Sequence, residues 1–225
     1  MKYGVIIAAR TSSTRLPGKA LMTLKDLPMV VFLIRRLHNN SRSGLLHFAT
    51  TDLPDDDWLA SVVEAEGVPV FRGSNEDVMQ RYVDAAQQFG IECVIRITAD
   101  CPFVDAETLD YCLDRCETFG EFDLATTKGL FPVGIDFEIY NASSMRALHE
   151  SGLPDASDRE HLTKYFYDHP DRYDIRRIEP DPAWVCTTRA FTVDTEADYA
   201  WAQQAADRFD TIRFRVSDLI RNECK

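Results

Sequence analysis

The sequence predicts an α/β protein whose mostly parallel sheet carries helices on both faces. Short apolar, β-branched runs recur along the 225 residues, and segments with helical spacing separate most of them. Alternation of this kind favours parallel pairing, because each helix returns the chain to the edge of the sheet where the next strand begins. The chain is 45% hydrophobic and 28% charged. We therefore expect one globular domain over residues 1–225.

The predicted strands are the apolar runs that end at turns or polar residues. Their β-branched and aromatic content, over four to seven residues each, is typical of buried strands. We predict strands at residues 3–9, 45–50, 68–71, 93–99, 122–127, 135–140 and 189–194.

The predicted helices lie between these runs, where apolar residues recur every three or four positions. Gly67, Gly90 and Gly120 stand where the second, third and fourth helices should end, since glycine readily adopts the left-handed conformation of a helix C-cap. We predict helices over residues 29–39, 56–67, 76–90, 106–120, 144–152, 158–169 and 196–209.

Residues 126–141 interrupt the alternation, because no long helix separates two predicted strands there. Gly129, Pro132 and Gly134 predict a turn-rich hairpin excursion. A simple surface hairpin is one interpretation of this segment. An arm that covers an active site, or that pairs with a second copy of the chain in a homodimer, is another, and we expect the homodimer.

The charge distribution limits the possible partners. The chain has a formal net charge of -12, so its average field repels nucleic acid and anionic membranes, and we expect neither as a partner. The first 25 residues are an exception, because they hold five lysines and arginines and no carboxylate. A small anion is the natural partner of such a patch.

The six cysteines show no CxxC pair and no regular spacing, so they predict neither a disulfide framework nor a zinc site. Free cysteine usually packs as a small apolar residue. The apolar run after Gly4 is only five residues long, too short for a signal peptide or a membrane span. We therefore expect a cytoplasmic protein.

The loop "AARTSSTRLPGK" follows the first predicted strand directly, at the place where open α/β sheets bind phosphates. It matches neither the Walker A motif nor the dinucleotide fingerprint, since Gly18 is its one glycine. Small residues would let a ligand approach the backbone, and three cations suit a triphosphate, although solvated surface charges are the simpler interpretation. The expected contacts are Ala8, Ala9, Arg10, Ser13, Arg15 and Lys19.

Two aspartates follow predicted strands and should lie at the same sheet edge as this loop. They are Asp100, in "RITADCP", and Asp194, in "FTVDTEADY". Mg²⁺ prefers one or two carboxylates, with water and phosphate oxygens in its remaining positions. We therefore predict a magnesium site, while a turn or helix-capping role stays open for each aspartate.

The sequence resembles the cytidylyltransferase family, which includes the sugar-acid cytidylyltransferases, and is most similar to its spore coat polysaccharide biosynthesis branch. The resemblance follows the family's order from near residue 8 to near residue 199. It rests on the stretches "AARTSSTRLPGKAL", "RGSNEDVMQRYVDAA", "VIRITADCPFVD", "FPVGIDFEIYN", "DREHLTKY" and "FTVDTEADY".

The resemblance implies a nucleotide-diphospho-sugar transferase fold, with a Rossmann-like sheet, and the transfer of CMP from CTP to a sugar acid or related acidic acceptor. Pyrophosphate would be released, and the product would serve surface polysaccharide biosynthesis. The implied catalytic residues are Arg10 and Lys19 on the triphosphate and Asp100 and Asp194 on Mg²⁺.

The resemblance also implies a turn near the base and ribose, formed by Arg72, Gly73 and Asp77. On the acceptor side Arg159 suits a carboxylate or phosphonate, because guanidinium binds oxyanions through two parallel hydrogen bonds. The acceptor-side candidates are Asp136, Glu138, Arg159 and His161.

Two other functions compete with this interpretation. A glycosyltransferase that consumes a nucleotide sugar would be expected to carry an Asp-x-Asp pair at a strand end, whereas "TADCP" holds a single acid. A non-catalytic nucleotide-binding protein would not need both Asp100 and Asp194 beside a cationic loop.

Overall fold

The computed structural model describes residues 1–38, 45–186 and 188–224. Its strands are β1 (Tyr3–Ala8), β2 (Thr23–Leu24), β3 (Leu27–Pro28), β4 (Leu46–Thr51), β5 (Val70–Gly73), β6 (Cys93–Thr98), β7 (Leu124–Thr126), β8 (Glu138–Asn141) and β9 (Ile175–Arg177). Within these ranges, seven strands form one sheet in the order β5-β4-β1-β6-β8-β7-β9, and β2 pairs with β3. The first four strands of that order are parallel, β8 is antiparallel to both neighbours, and β9 is parallel to β7.

Helices cover both faces of this sheet, which confirms the predicted fold class. They are α1 (Met29–Leu37), α2 (Asp57–Glu64), α3 (Val78–Phe89), α4 (Ala106–Phe119), α5 (Ala142–Glu150), α6 (Ala156–Glu160), α7 (Lys164–Asp168), α8 (Glu196–Asp207) and α9 (Val216–Glu223). None of the helices in the described ranges is long and apolar enough to cross a membrane.

Strand β1 shows how the two faces are filled. Val5 and Ile7 pack into the cluster formed with α1, α4 and α8, whereas Ile6 and Ala8 pack against α3 and α5. Successive side chains of a strand point to opposite faces, so a strand buried on both faces is continuously apolar. The run "YGVIIA" has this composition.

The register of the parallel strands positions the loop that follows β1. Ala8 pairs with Ala49 on β4 and with Thr98 on β6. The carboxyl ends of β1 and β6 are therefore level, β4 continues two residues further to Thr51, and the Ala99 N–H donates to the Ala8 carbonyl at 3.0 Å. As a result, the loop after β1 lies beside Asp100, as the sequence predicts.

Two predicted elements are wrong. Residues 189–194 form no strand, since their backbone bonds reach loops: the Phe191 N–H donates to Val133 and the Val193 N–H to Asp100. The predicted helix over 158–169 is divided into α6 and α7, because the fully buried Leu162 has a φ of 28°. The predicted helix over 29–39 ends at Leu37, and its last predicted residue lies outside the described ranges.

The prediction that the cysteines form no disulfide is also wrong. Cys186 and Cys224 are joined across 38 residues, with their Cα atoms 5.7 Å apart. Their spacing gives no signal, because the two approach only when α9 packs against the 3₁₀ turn Pro182–Trp184. Of the remaining cysteines in the described ranges, Cys93, Cys112 and Cys116 are buried.

The excursion between β7 and β8 is packed into the core at its base. Phe131, Ile135 and Phe137 are buried, while Val133 is 56% exposed. Gly134 has a φ of 88° and lies against the backbone of Phe191 and Thr192. Pairing of this segment with a second copy of the chain stays a prediction.

We predict that Gly134→Ala destabilises the protein far more than Gly129→Ala. Both glycines have positive φ, so both substitutions cost about 1–2 kcal/mol of backbone strain. In addition, a Cβ at Gly134 would lie 2.3 Å from the Thr192 nitrogen, whereas at Gly129 the nearest atom is 4.0 Å away. Overpacking of this kind costs about 1–3 kcal/mol more. Urea unfolding of both variants measures the difference, and equal losses would contradict the close backbone approach.

Candidate active site

The loop after β1 folds back on itself around Thr11. The Thr11 carbonyl accepts hydrogen bonds from the N–H groups of Ser13 and Gly18, each at 2.9 Å. Gly18 takes the left-handed conformation, with φ 68°, and the 3₁₀ turn Lys19–Leu21 follows it. This closed turn directs the Lys19 side chain back toward the ends of the strands.

Lys19 lies between the two aspartates that the sequence predicts as metal ligands. Its Nζ is 2.7 Å from Asp100 Oδ2 and 2.9 Å from Asp194 Oδ1, and it donates to the Val193 carbonyl at 3.0 Å. The exposed Arg15 forms a second ion pair with Asp194 at 2.9 Å. The structure therefore brings these four predicted residues into one cluster, which we call the Lys19 cluster.

The electrostatics of the Lys19 cluster keep Lys19 and Asp100 charged. Burial alone would lower the pKa of Lys19, but the nearby Asp100 and Asp194 carboxylates outweigh it and raise the pKa above its usual value. Burial alone would raise the pKa of Asp100, and Lys19 reverses this shift, so the Asp100 pKa is lowered. Opposite charges stabilise each other strongly when they are partly removed from water.

Asp194 is not the N-cap residue of α8. The cap of α8 is Thr195, whose side chain accepts from the Asp198 N–H, while the Asp198 side chain accepts from the Thr195 N–H in return. The capping interpretation therefore applies to Thr195 instead, and the Asp194 carboxylate is left to face Lys19.

One cavity, of about 330 Å³, lies between the opening loop and α3, and we call it the loop cavity. Arg10 is held at its wall, because its guanidinium donates to Glu160 and to the Asn75 carbonyl, each at 3.2 Å. The loop residues that the sequence predicts as ligand contacts all line this cavity: Ala8, Ala9, Arg10, Ser13, Arg15 and Lys19.

A second cavity, of about 440 Å³, lies between the end of β6 and the excursion, and we call it the hairpin cavity. Asp136 and Glu138 line it, together with Lys128, Val133 and Gly134. Asp136 accepts from the Gly134 N–H at 2.7 Å, and burial raises the pKa of its carboxyl.

The Lys19 cluster lies where the two cavities meet. Five residues line both cavities: Arg15, Arg96, Thr98, Asp100 and Asp194. A ligand in one cavity can therefore approach a ligand in the other beside the two carboxylates. This is the geometry required for the transfer of a group between two bound molecules.

The sequence interpretation singled out Glu138 but not the side chains that bind it, Arg96, Thr163 and Tyr167. Arg96 donates to Glu138 at 2.8 Å, and the Glu138 side chain is only 1% exposed. Thr163 and Tyr167 also donate to Glu138, at 2.6 and 2.9 Å. Burial opposes ionisation of Glu138, but Arg96 and Lys128 lower its pKa. An arginine inside the apolar run of β6 was the available signal, because a buried cation requires a partner.

The turn predicted to contact the base and ribose lies outside both cavity linings. Arg72 donates to the carbonyls of Thr51 and Leu53, which fixes the ends of two strands. Gly73 ends β5, and Asp77 caps α3 by accepting from the Gln80 N–H. The predicted nucleotide contacts of Arg72, Gly73 and Asp77 stay predictions.

Two of the four acceptor-side candidates also lie away from the hairpin cavity. The Arg159 guanidinium is 2.5 Å from Asp77 and 3.1 Å from His149, and His161 is exposed. Arg159 thus ties α6 to the start of α3. Its predicted contact with an acceptor, and that of His161, stay predictions.

Comparisons with known proteins find similar sequences and structures along most of the chain. A family model described as cytidylyltransferase matches residues 4–213. The spore coat polysaccharide biosynthesis protein SpsF of Bacillus subtilis is 32% identical over 227 residues, which cover 96% of this chain and 91% of SpsF. A solved cytidylyltransferase from Leptospira borgpetersenii superposes with a TM-score of 0.92 at 31% identity, covering 99% of this chain and 93% of that chain.

A more distant structure shares the fold. It is the CMP:2-keto-3-deoxy-manno-octonic acid synthetase complexed with CTP, with a TM-score of 0.72 at 18% identity. The match covers 92% of this chain and 99% of that one.

We predict that Lys19→Met lowers the free energy of unfolding by about 1–3 kcal/mol at pH 7, because it removes the cation that partners Asp100. The Asp100 pKa is lower in the folded protein than in the unfolded chain. The ionised Asp100 therefore stabilises the folded protein above about pH 4, and this contribution is lost as the pH falls through the pKa that Asp100 has in the folded protein. The difference between the variant and the wild type should accordingly shrink toward pH 3.

Urea unfolding at pH 3, 5 and 7 measures this difference. Lys25→Met is the matched control, since Lys25 lies in the same segment but donates to the Phe209 carbonyl, away from both cavities. If Lys19→Met lowers the free energy of unfolding by the same amount at pH 7 and at pH 3, the coupling to Asp100 is contradicted.

Proposed function

The chain belongs to the cytidylyltransferase family of nucleotidyltransferases, and from that premise we propose that it transfers CMP from CTP to a sugar acid or related acidic acceptor, releasing pyrophosphate. We place the reaction in the cytoplasm, where CTP is available, and its product in surface polysaccharide biosynthesis. The observation that carries the proposal is the Lys19 cluster at the junction of the loop cavity and the hairpin cavity.

The loop cavity suits the triphosphate. Arg10, Arg15 and Lys19 line it, so three cations face a ligand that carries up to four negative charges. Cations and backbone groups that are positioned before the ligand arrives stabilise the charge that develops on departing pyrophosphate. CTP bound to a synthetase of the same fold supports the choice of nucleotide.

The residues present also fit Mg²⁺. Oxygens of Asp100 and Asp194 converge on a single cationic nitrogen, so a cation already occupies the point between them. Among the described residues, no group of three or more His, Cys, Asp or Glu side chains could hold a metal. Mg²⁺ takes one or two carboxylates and completes its shell with water and phosphate oxygens, so the two aspartates are sufficient ligands for it. When bound, Mg²⁺ would neutralise charge on the phosphoryl oxygens.

The hairpin cavity suits the acceptor. Lys128 and Arg15 pair with Glu138 and Asp194 but are 43% and 66% exposed, so an acceptor anion can reach both cations from solvent. Arg96 is only 19% exposed and stays engaged by the buried Glu138. An acceptor oxygen held here would attack the α-phosphorus from the side opposite the departing pyrophosphate. The protein's contribution is to position the two ligands and to exclude water.

A pyrophosphate-release assay over a panel of sugar acids and phosphonates tests the proposal, with CTP, UTP, ATP or GTP as donor. We expect CTP to be preferred, and Asp100→Asn to slow turnover by about 10²–10³-fold, because it removes a charge that acts in the transition state. Asp52→Asn is the matched control, since Asp52 also follows a strand but is exposed and lines neither cavity.

Equal turnover of the four nucleotides would contradict the preference for CTP. A wild-type rate in folded Asp100→Asn would contradict the site. Release of a nucleoside diphosphate from a nucleotide sugar, without any pyrophosphate release, would favour a glycosyltransferase.

A further inference from the structure

Asp56 is a buried carboxylate that lines neither cavity and yet is bonded to the opening loop. Asp56 is the last residue of the 3₁₀ turn Pro54–Asp56 and is only 2% exposed. Its Oδ1 accepts from the Thr11 N–H at 2.8 Å and from the Thr11 hydroxyl at 2.7 Å. These two bonds join the loop to the rest of the sheet edge without passing through a cavity-lining side chain.

The second oxygen of Asp56 is held by the end of β4. Oδ2 accepts from the Thr50 hydroxyl at 3.0 Å, from the Thr51 N–H at 3.3 Å and from the Thr51 hydroxyl. Burial alone would raise the pKa of Asp56, but the hydrogen bonds from Thr51 and Thr11 lower it, so the carboxylate stays charged. Asp56 therefore bridges the strand end and the loop through charge-assisted hydrogen bonds, which are the strong ones.

Thr11 transmits this anchoring to the whole loop. Its amide and hydroxyl are held by Asp56, while its carbonyl accepts from Ser13 and Gly18 and so closes the turn. The residues on either side of Thr11, Arg10 and Ser12, line the loop cavity. The position of Thr11 therefore sets the directions in which its neighbours face a ligand.

We propose that Asp56 is the positioning residue of the triphosphate loop and that it determines how strongly the enzyme prefers a nucleoside triphosphate to the monophosphate. This inference rests on the proposed function. Asparagine keeps one carbonyl oxygen, but its amide nitrogen accepts no hydrogen bond, so either the Thr11 N–H or the Thr51 N–H loses its acceptor.

The consequence is specific to the terminal phosphates. CTP and CMP share the base, the ribose and the α-phosphate, and only CTP reaches the loop with β- and γ-phosphates. Asp56→Asn should therefore weaken CTP binding about tenfold, the effect of losing one hydrogen bond to a charged group. CMP binding should stay within about twofold of the wild type. A purely structural loss would lower the active fraction for both ligands alike.

Isothermal titration calorimetry of the full chain with CTP and with CMP, in the presence of Mg²⁺, measures the ratio of the two affinities. Circular dichroism checks that each variant is folded. Asp55→Asn is the matched control, because Asp55 is the exposed neighbour in the same 3₁₀ turn and its substitution changes the same charge. Thr11→Val removes the hydroxyl donor alone and serves where Asp56→Asn fails to fold. Thr11→Ser keeps both donors and should retain the wild-type preference for CTP over CMP.

The proposal is supported if Asp56→Asn or Thr11→Val loses CTP affinity selectively while Asp55→Asn and Thr11→Ser do not. It is overturned if the folded variants keep the wild-type ratio of CTP to CMP affinity, or lose both affinities equally. A wild type that binds neither nucleotide would instead overturn the proposed function, and this positioning role with it.

Discussion

The ion pairs of Lys19 with Asp100 and Asp194 join three distant parts of the chain. Lys19 lies 81 residues from Asp100 and 175 from Asp194 in the sequence. The ammonium thus ties the opening loop, the end of β6 and the start of α8 to one point. Because the same carboxylates line both cavities, the charges that stabilise the fold are also those available to a ligand. Binding a metal and a triphosphate would require Lys19 to exchange its carboxylate partners for phosphate oxygens.

Backbone contacts, rather than a regular strand, hold Asp194 in this cluster. The Val193 N–H donates to the Asp100 carbonyl, and the Phe191 N–H donates to Val133 in the excursion. Gly134 allows this approach because a side chain there would meet the backbone of Thr192. The excursion therefore forms one wall of the hairpin cavity and also fixes the distance between that wall and the carboxylates.

Among the described residues, local signals predicted six of the seven strands of the main sheet, all but β9, and the position of the opening loop beside Asp100. The position of a charged loop after β1, and of Asp100 just past β6, follows from the alternation of strands and helices. Contacts between distant segments could not be predicted. Nothing in the spacing pairs Cys186 with Cys224 or Arg96 with Glu138, and Arg159 suits an acceptor anion as well as it suits Asp77. Leu162 breaks a helical pattern through its burial in the core, which the local sequence does not reveal.

The proposed metal site at Asp100 and Asp194 is most directly tested by the binding of Mn²⁺ in the absence of nucleotide, measured by electron paramagnetic resonance. In the wild type the Lys19 ammonium neutralises the carboxylates, so we predict weak binding of the metal alone. Lys19→Met should bind Mn²⁺ at least about fivefold more tightly, because the competing charge is gone. Unchanged or weaker Mn²⁺ binding in folded Lys19→Met would show that the carboxylate pair is not the metal site.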